Sequence, residues 1–155
     1  RIAHCLGGAL LRCAPAHDVR PLALGALTQR DGLVAVTALA PLGRLDCATA
    51  ARLAQLGELR LSSARTVTLL DVPAARAPRL LAELAALDLV VGEGSGWQGL
   101  TACAGLGACA SAQFDVRAVA AARALERGPG SPAEHWAACE RGCGCPPGAL
   151  LGSRP

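Results

Sequence analysis

The pattern of apolar and polar positions divides the first half of the chain into short alternating elements. Two apolar runs, residues 22–29 and 33–41, flank a short polar turn and predict a β-hairpin. Apolar residues at helical spacing then follow Asp46 and stop at Gly57. This pattern predicts a helix of about three turns that begins at Asp46.

A second pair of strands and a second helix are predicted next. Residues 59–63 and 66–72 read as strands, and residues 74–87 read as a helix in which Pro78 either lies in the first turn or delays the start. The order is strand, strand, helix, strand, strand, helix. It predicts an α+β fold with helices on one face of an antiparallel sheet, over residues 20–91.

The glycine-rich residues 92–96 mark a boundary, after which we expect a small α/β domain at residues 97–147. Its predicted elements are a strand at 99–103, a helix at 111–127 and a short segment at 134–139. The remaining residues, 1–19 and 148–155, are predicted to be a linker or tails.

Composition narrows the class of protein. The three aromatic residues leave a core of Leu, Val and Ala, and the formal net charge of +3, carried by Arg without Lys, is too small to indicate nucleic-acid binding. No apolar run reaches the roughly 18 residues of a membrane span, and no secretory signal is recognisable. We therefore expect a soluble, cytoplasmic protein that binds neither membrane nor nucleic acid.

Because Met is absent, we also expect the chain to be a fragment or a processed product.

Four of the eight cysteines form a pattern that suggests a metal centre. Cys103 and Cys109 lie six residues apart, and Cys139 and Cys143 lie four apart. Four thiolates from two glycine-rich loops suit an iron–sulfur cluster, and a helix beginning near Ser111 would direct its positive end at that cluster. The other cysteines, read as buried or spare thiols, are Cys5, Cys13, Cys47 and Cys145.

Three alternatives compete with the cluster. A disulfide framework is disfavoured because the chain shows no secretory signal and is long enough to form a core without cross-links. Zinc is the second choice of metal, since the spacing of Cys103 and Cys109 is wide for a zinc knuckle. A dinucleotide site at residues 105–110, with Glu126 on the ribose, is a weak match because no βαβ continuation is recognisable.

The cysteine pattern and its surroundings resemble a known family. The spacing of the four cysteines is similar to that of the siroheme-type nitrite and sulfite reductase superfamily, and the sequences at 102–118 and 135–146 most resemble its precorrin-3B synthases. Residues 58–72 resemble a strand of the ferredoxin-like half domain in that family. Members contain two related halves, and this chain resembles the second half.

The resemblance implies an oxidoreductase of the aerobic cobalamin pathway that uses O2 to hydroxylate precorrin-3A and close a lactone, giving precorrin-3B. It implies a 4Fe–4S cluster on Cys103, Cys109, Cys139 and Cys143, with a siroheme or a mononuclear iron beside it, and Cys143 at the bridging position. NADH, directly or through a reductase partner, would supply electrons, and a missing N-terminal half would complete the enzyme. The alternatives are a sulfite or nitrite reductase fragment and a non-catalytic electron-transfer module.

Three arginines are candidate ligands for the carboxylates of such a substrate: Arg60, Arg65 and Arg141. Arg60 and Arg65 converge only if residues 62–64 form a turn between two strands. Without the resemblance, solvated or salt-bridged arginines are the simpler interpretation. For His135, partnership with a backbone carbonyl is favoured over a role as ligand or acid.

Overall fold

The predicted hairpin begins the first sheet of the computed structural model, which describes residues 23–152. Strands β1 (Gly25–Thr28) and β2 (Val34–Leu39) pair antiparallel, with Leu27 opposite Ala35. A hydrogen bond of 2.8 Å from the Gln29 amide to the Leu33 carbonyl closes the turn.

Two further strands complete this sheet. Strands β3 (Leu59–Leu61) and β4 (Thr66–Val72) pair antiparallel with each other, and β4 also pairs with β2. The resulting order is β1-β2-β4-β3, and every neighbouring pair is antiparallel. This arrangement confirms the predicted antiparallel sheet.

Two helices cover one face of the sheet. Helix α1 (Cys47–Leu56) begins where predicted, because the Asp46 carboxylate accepts a hydrogen bond of 2.7 Å from the Thr49 amide. Helix α2 (Ala77–Ala85) carries Pro78 in its first turn, where the missing N–H costs nothing.

The main core lies between these helices and the sheet. Cross-strand partners Val36 and Leu69 lie on the inner face with neighbouring Val67, and they pack in one cluster with helix residues such as Leu53 and Leu84. The opposite face is polar where Thr37 meets Thr68, whose hydroxyls lie 3.0 Å apart in a buried hydrogen bond. Strand alternation therefore separates an apolar face from a partly polar one.

The second sheet is parallel. It contains β5 (Leu100–Ala102), β6 (Glu134–Trp136) and β7 (Leu150–Gly152) in the order β5-β6-β7, and helix α3 (Val116–Glu126) connects β5 to β6. The expectation that a βαβ continuation is missing is therefore wrong. The strands have three residues each, too few for a periodic pattern to identify them.

Helix α3 begins five residues later than the predicted start at Ser111. The Asp115 carboxylate accepts hydrogen bonds from the Arg117 and Ala118 amides at 3.1 and 3.2 Å, which makes Asp115 the N-cap. The preceding segment turns back to the residues that follow β6, since the Gln113 amide donates to the Ala138 carbonyl at 2.9 Å.

Strand β7 lies within the segment predicted as a tail at residues 148–155. The Leu150 amide donates to the Ala133 carbonyl and the Ala137 amide donates to the Gly152 carbonyl, both at 2.8 Å. These bonds make the segment part of the second sheet. The predicted segment 1–19 lies outside the described residues, and the domain boundaries themselves stay a prediction.

Within residues 23–152, none of the helices combines the length and the apolar character that crossing a membrane requires.

Candidate metal centre

The two cysteine-bearing segments follow neighbouring strands at the same edge of the second sheet. Cys103 comes directly after β5, and Cys139 comes three residues after β6. The strands are parallel, so both segments leave the sheet at its carboxyl edge. The Cys103 amide donates to the Trp136 carbonyl at 2.9 Å, and the Ala138 amide donates to the Cys103 Sγ at 3.2 Å. The fold therefore brings Cys103 and the start of the second segment together.

The first cysteine loop, residues 103–109, is held against α3. Gly105 has a φ of +70°, and a Cβ there would come within 2.8 Å of Val116 Cγ1. The Gly105 carbonyl accepts a hydrogen bond of 3.0 Å from the Cys109 amide, and the Arg117 guanidinium donates to the Leu106 carbonyl. The close packing explains why the sequence has glycine at position 105.

The second cysteine loop, residues 139–145, is a pair of tight turns. The Gly142 amide donates to the Cys139 carbonyl at 3.5 Å, and the Cys145 amide donates to the Gly142 carbonyl at 3.2 Å. Gly142 has a φ of +58°, a conformation that glycine adopts without steric cost. Arg141 lies on the exposed side of this loop.

His135 joins this loop to the sheet. Its side chain is 1% exposed, its Nε2 lies 3.0 Å from the Cys143 carbonyl oxygen, and its Nδ1 lies 2.6 Å from Thr101 Oγ1. Burial is the main cause that lowers the pKa of His135, which favours the neutral ring. Nε2–H then donates to the Cys143 carbonyl, and Nδ1 accepts from the Thr101 hydroxyl, for which it lies closer than the second acceptor, the Glu134 carbonyl at 3.1 Å. The prediction that His135 partners a backbone carbonyl is confirmed.

The donor chemistry fits a thiolate-bound cluster. The described cysteines are free thiols, with Cys109 and Cys143 exposed and Cys103 and Cys139 half-buried. Within residues 23–152, however, no three His, Cys, Asp or Glu side chains lie close enough together to bind a metal ion. The structure thus brings the two loops to one edge, while the convergence of all four sulfurs stays a prediction. Outside the loops, Cys47 is exposed rather than buried, as is Cys145 at the loop's end.

The predicted start of the helix after the first cysteine loop is wrong. The sequence predicts a helix that begins near Ser111 and directs its backbone N–H groups at the cluster. Asp115 instead occupies the N-terminus of α3 and accepts from the Arg117 and Ala118 amides. The negative carboxylate already satisfies those donors.

The dinucleotide alternative gains no support, although the βαβ unit exists. Thirteen residues, 103–115, separate β5 from α3, whereas a dinucleotide turn leads directly from strand to helix. Glu126, the expected ribose ligand, pairs with Arg123 at 2.9 Å. The loop is therefore not the short phosphate-binding turn.

Arg60 and Arg65 occupy different environments. The predicted turn exists, since the Arg65 amide donates to the Ser62 carbonyl at 3.0 Å. Arg60 is nevertheless exposed on β3 and forms a 2.5 Å ion pair with Glu58. Arg65 is half-buried, with its aliphatic carbons against Gly43, and burial lowers the pKa of its guanidinium. The turn forms, but only Arg65 of the two lines a groove between the sheets.

This groove has a volume of about 380 Å³ and contains residues from both sheets. Arg65 and Thr66 line it from the β3–β4 hairpin. Trp97, Thr101 and Pro146 line it from the second unit, which is the parallel sheet with α3 and the connecting loops. Thr101 is also the partner of His135. The groove therefore lies beside the cysteine segments. Its lining includes one cationic side chain, Arg65, and one aromatic side chain, Trp97.

The sequence interpretation missed a buried ionic network. The Arg127 side chain is 1% exposed and donates to three backbone carbonyls at 2.8 Å each, and it pairs with Glu134 at 2.8 Å. Arg123 donates twice to Glu134 at 2.9 Å. Hydrogen bonds from Arg123, then from Arg127, lower the pKa of Glu134 to about 2. No sequence signal marks these residues, because charged side chains at positions 123, 127 and 134 look like those of ordinary surface residues.

Comparison with known proteins supports a superfamily assignment. Residues 27–87 match the family described as the nitrite/sulfite reductase ferredoxin-like half domain. Among solved structures, the chain is similar to the Mycobacterium tuberculosis NirA protein, with 27% sequence identity and a TM-score of 0.59. The match covers 74% of this chain and 22% of that one, so this chain spans less than a quarter of the protein it resembles. No curated protein matches the chain.

The match at residues 27–87 coincides with the antiparallel sheet and its two helices, β1 to α2. The predicted α+β fold with a ferredoxin-like half domain is thereby confirmed. Residues 27–87 form a nitrite/sulfite reductase ferredoxin-like half domain, and together with the structural match they support placing the chain in the nitrite and sulfite reductase superfamily of redox proteins.

Proposed function

We propose that this chain is part of an oxidoreductase that carries a 4Fe–4S cluster and acts on a carboxylate-rich tetrapyrrole, in the manner of a precorrin-3B synthase. One observation carries the proposal: two cysteine-bearing loops leave neighbouring parallel strands beside a groove that contains Arg65. In the proposed reaction, O2 hydroxylates precorrin-3A and a lactone closes to give precorrin-3B.

Cys103, Cys109, Cys139 and Cys143 would hold the cluster, which supplies one-electron transfer when bound. Two residues outside the loops hold the loop backbones: Arg117 binds the first loop to α3, and His135 binds the second loop to β6. NADH is the proposed electron source, directly or through a reductase partner. A related N-terminal half and a second iron centre, siroheme or mononuclear iron, complete the proposed enzyme.

Arg65 is the substrate ligand that the geometry supports best. Its guanidinium has no carboxylate within salt-bridge distance among residues 23–152, whereas Arg60 already pairs with Glu58. The guanidinium of Arg65 is planar and charged, and it can donate two parallel hydrogen bonds to a substrate carboxylate in the groove. Arg60 and the exposed Arg141 stay secondary candidates.

A siroheme-containing nitrite or sulfite reductase is the second candidate. The description of the family that matches residues 27–87 favours it, since that description names nitrite and sulfite reductases. Both candidates require the same cluster, and they differ in the substrate and in the second iron centre.

The cluster is tested first. Purified without oxygen and reconstituted, the chain should bind about four irons and four sulfides, because four thiolates is the usual ligand set. Ser at Cys103, Cys109, Cys139 or Cys143 should abolish iron binding, whereas Cys47→Ser in α1 should leave it unchanged. A chain that binds zinc instead, or retains iron after loss of these cysteines, would contradict the assignment.

Substrate experiments separate the two candidates. The chain is assayed with its N-terminal half supplied, against precorrin-3A with O2 and against sulfite and nitrite under reducing conditions. We expect conversion of precorrin-3A, and Arg65→Ala should weaken its binding by about 1.5 to 3 kcal/mol while the cluster spectrum stays unchanged. Arg60→Ala is the matched comparison and should have the smaller effect. Reduction of sulfite or nitrite without turnover of precorrin-3A would establish the second candidate, and electron exchange without any tetrapyrrole binding would indicate a non-catalytic module.

A further inference from the structure

The side chain of His135 connects three parts of the second unit. Thr101 on β5 and His135 on β6 are partners in the parallel register, and their side chains meet at 2.6 Å. The opposite nitrogen of the ring reaches the Cys143 carbonyl at 3.0 Å. A continuous chain of hydrogen bonds therefore runs from β5, through β6, to the second cysteine loop.

The loop depends on this contact for its position. Its backbone hydrogen bonds, Gly142 to Cys139 and Cys145 to Gly142, close turns within the loop. Among the hydrogen bonds that the structure describes for residues 139–145, the bond from His135 is the one that reaches a strand. Because His135 is 1% exposed, water does not readily replace it.

We propose that His135 is a positioning residue for the iron–sulfur cluster, which it serves by fixing the backbone of Cys143, with Thr101 fixing the orientation of its ring. This inference rests on the proposed function, in which Cys143 binds iron. A partner behind a metal ligand orients that ligand. Loss of His135 should therefore loosen the cluster.

Two substitutions at His135 separate positioning from simple packing. His135→Leu removes both hydrogen bonds, while the amide nitrogen of His135→Gln lies at about the position of Nε2 and retains the donor. With an iron chelator present, the His135→Leu cluster should be lost about 10- to 100-fold faster than in the wild type, the usual cost of losing such a partner. His135→Gln should restore most of the lifetime, which a purely packing role does not predict.

Thr101→Val provides the test of the second link, with Thr68→Val as its matched control. Both remove a buried hydroxyl from a side-chain hydrogen bond. The Thr101 hydroxyl also lies 3.1 Å from the Glu134 carbonyl, whereas Thr68 pairs with Thr37 in the first sheet. Thr101→Val should shorten the cluster lifetime and Thr68→Val should not. Equal effects of the two, or a His135→Leu protein with the wild-type lifetime, would overturn the proposal.

Hydrogen exchange on the iron-free chain keeps this inference distinct from the proposed function. Amides of residues 142–145 should exchange faster in His135→Leu and at about the wild-type rate in His135→Gln. If the wild type takes up no cluster, the proposed function fails, and unchanged exchange in His135→Leu would then reject the positioning role as well. Faster exchange would support the contact as the one that holds the loop.

Discussion

Glu134 shows how one residue joins several elements of the second unit. It lies on β6 and accepts from Arg123 on α3 and from Arg127 just beyond it, whose guanidinium also holds the carbonyls of Gly96, Gln98 and Pro132. Removing one partner from a buried charge pair leaves the other charge uncompensated. The Arg127 side chain, 1% exposed, would carry that cost.

We therefore expect Glu134→Gln to lower the free energy of unfolding by about 3 kcal/mol. Urea titration followed by circular dichroism measures the change. Glu126→Gln is the matched control, since Glu126 also pairs with Arg123 but is exposed, and it should cost at most about 0.5 kcal/mol. Equal costs for the two substitutions would show that the network adds little beyond a surface pair.

The same residue predicts an acid dependence. The pKa of Glu134 is about 2 in the folded chain against an ordinary 4.5, so the unfolded state binds the proton more readily. Its contribution to stability is complete above about pH 4.5 and is lost as the pH falls toward 2. The stability difference between the wild type and Glu134→Gln should shrink over that window. A difference that stays constant from pH 6 to pH 2.5 would contradict this origin.

At the level of elements, local signals predicted one half of the fold better than the other. The hairpin, both helices of the first sheet and the Asp46 cap were predicted because each has its cause nearby in the sequence. Strand β7 and the true start of α3 were missed because their causes are distant: β7 exists through its pairing with β6, and the segment before α3 bonds to Ala138. The two cysteine pairs were singled out by their spacing, whereas the approach of the two cysteine loops depends on the parallel pairing of three-residue strands.

The N-caps of α1 and α3 allow a direct comparison. Asp115→Ala should lower the free energy of unfolding by about 1 kcal/mol, and Asp46→Ala should also lower it, because each leaves first-turn amides without a partner. Asp115→Ala should also speed hydrogen exchange at residues 105–109, since the first turn of α3 carries Val116 against Gly105 and Arg117 against Leu106. If Asp46→Ala disturbs that loop equally, the effect is global rather than local.

At the scale of the whole molecule, the two sheets have cores of unequal size. Among residues 23–152, thirteen buried hydrophobic residues form the core of the first sheet, whereas Leu100, Ala120 and Ala124 form that of the second, with half-buried Trp97 and Trp136 beside them. A small apolar core contributes less to the free energy of unfolding. In the proposed function, the iron–sulfur cluster and the Glu134 ion-pair network compensate for the small core of the second sheet. A ligand that binds only the folded state adds its binding free energy to the stability of that state.

Reconstitution with iron and sulfide should therefore protect the two sheets unequally. Amides of β5, α3 and β6 should exchange at least about tenfold more slowly in the loaded chain, equivalent to about 1.4 kcal/mol, because in the proposed function the iron–sulfur cluster joins the loops that follow β5 and β6. Amides of β2 and β4 should change little, since the core of the first sheet forms without the cysteines. Hydrogen exchange with mass spectrometry resolves both groups in one experiment, and the Cys103→Ser chain, treated identically, is the control. An equal gain in both sheets would mean that the chain unfolds as one cooperative unit, and no gain in either would mean that the cysteine loops do not hold the metal.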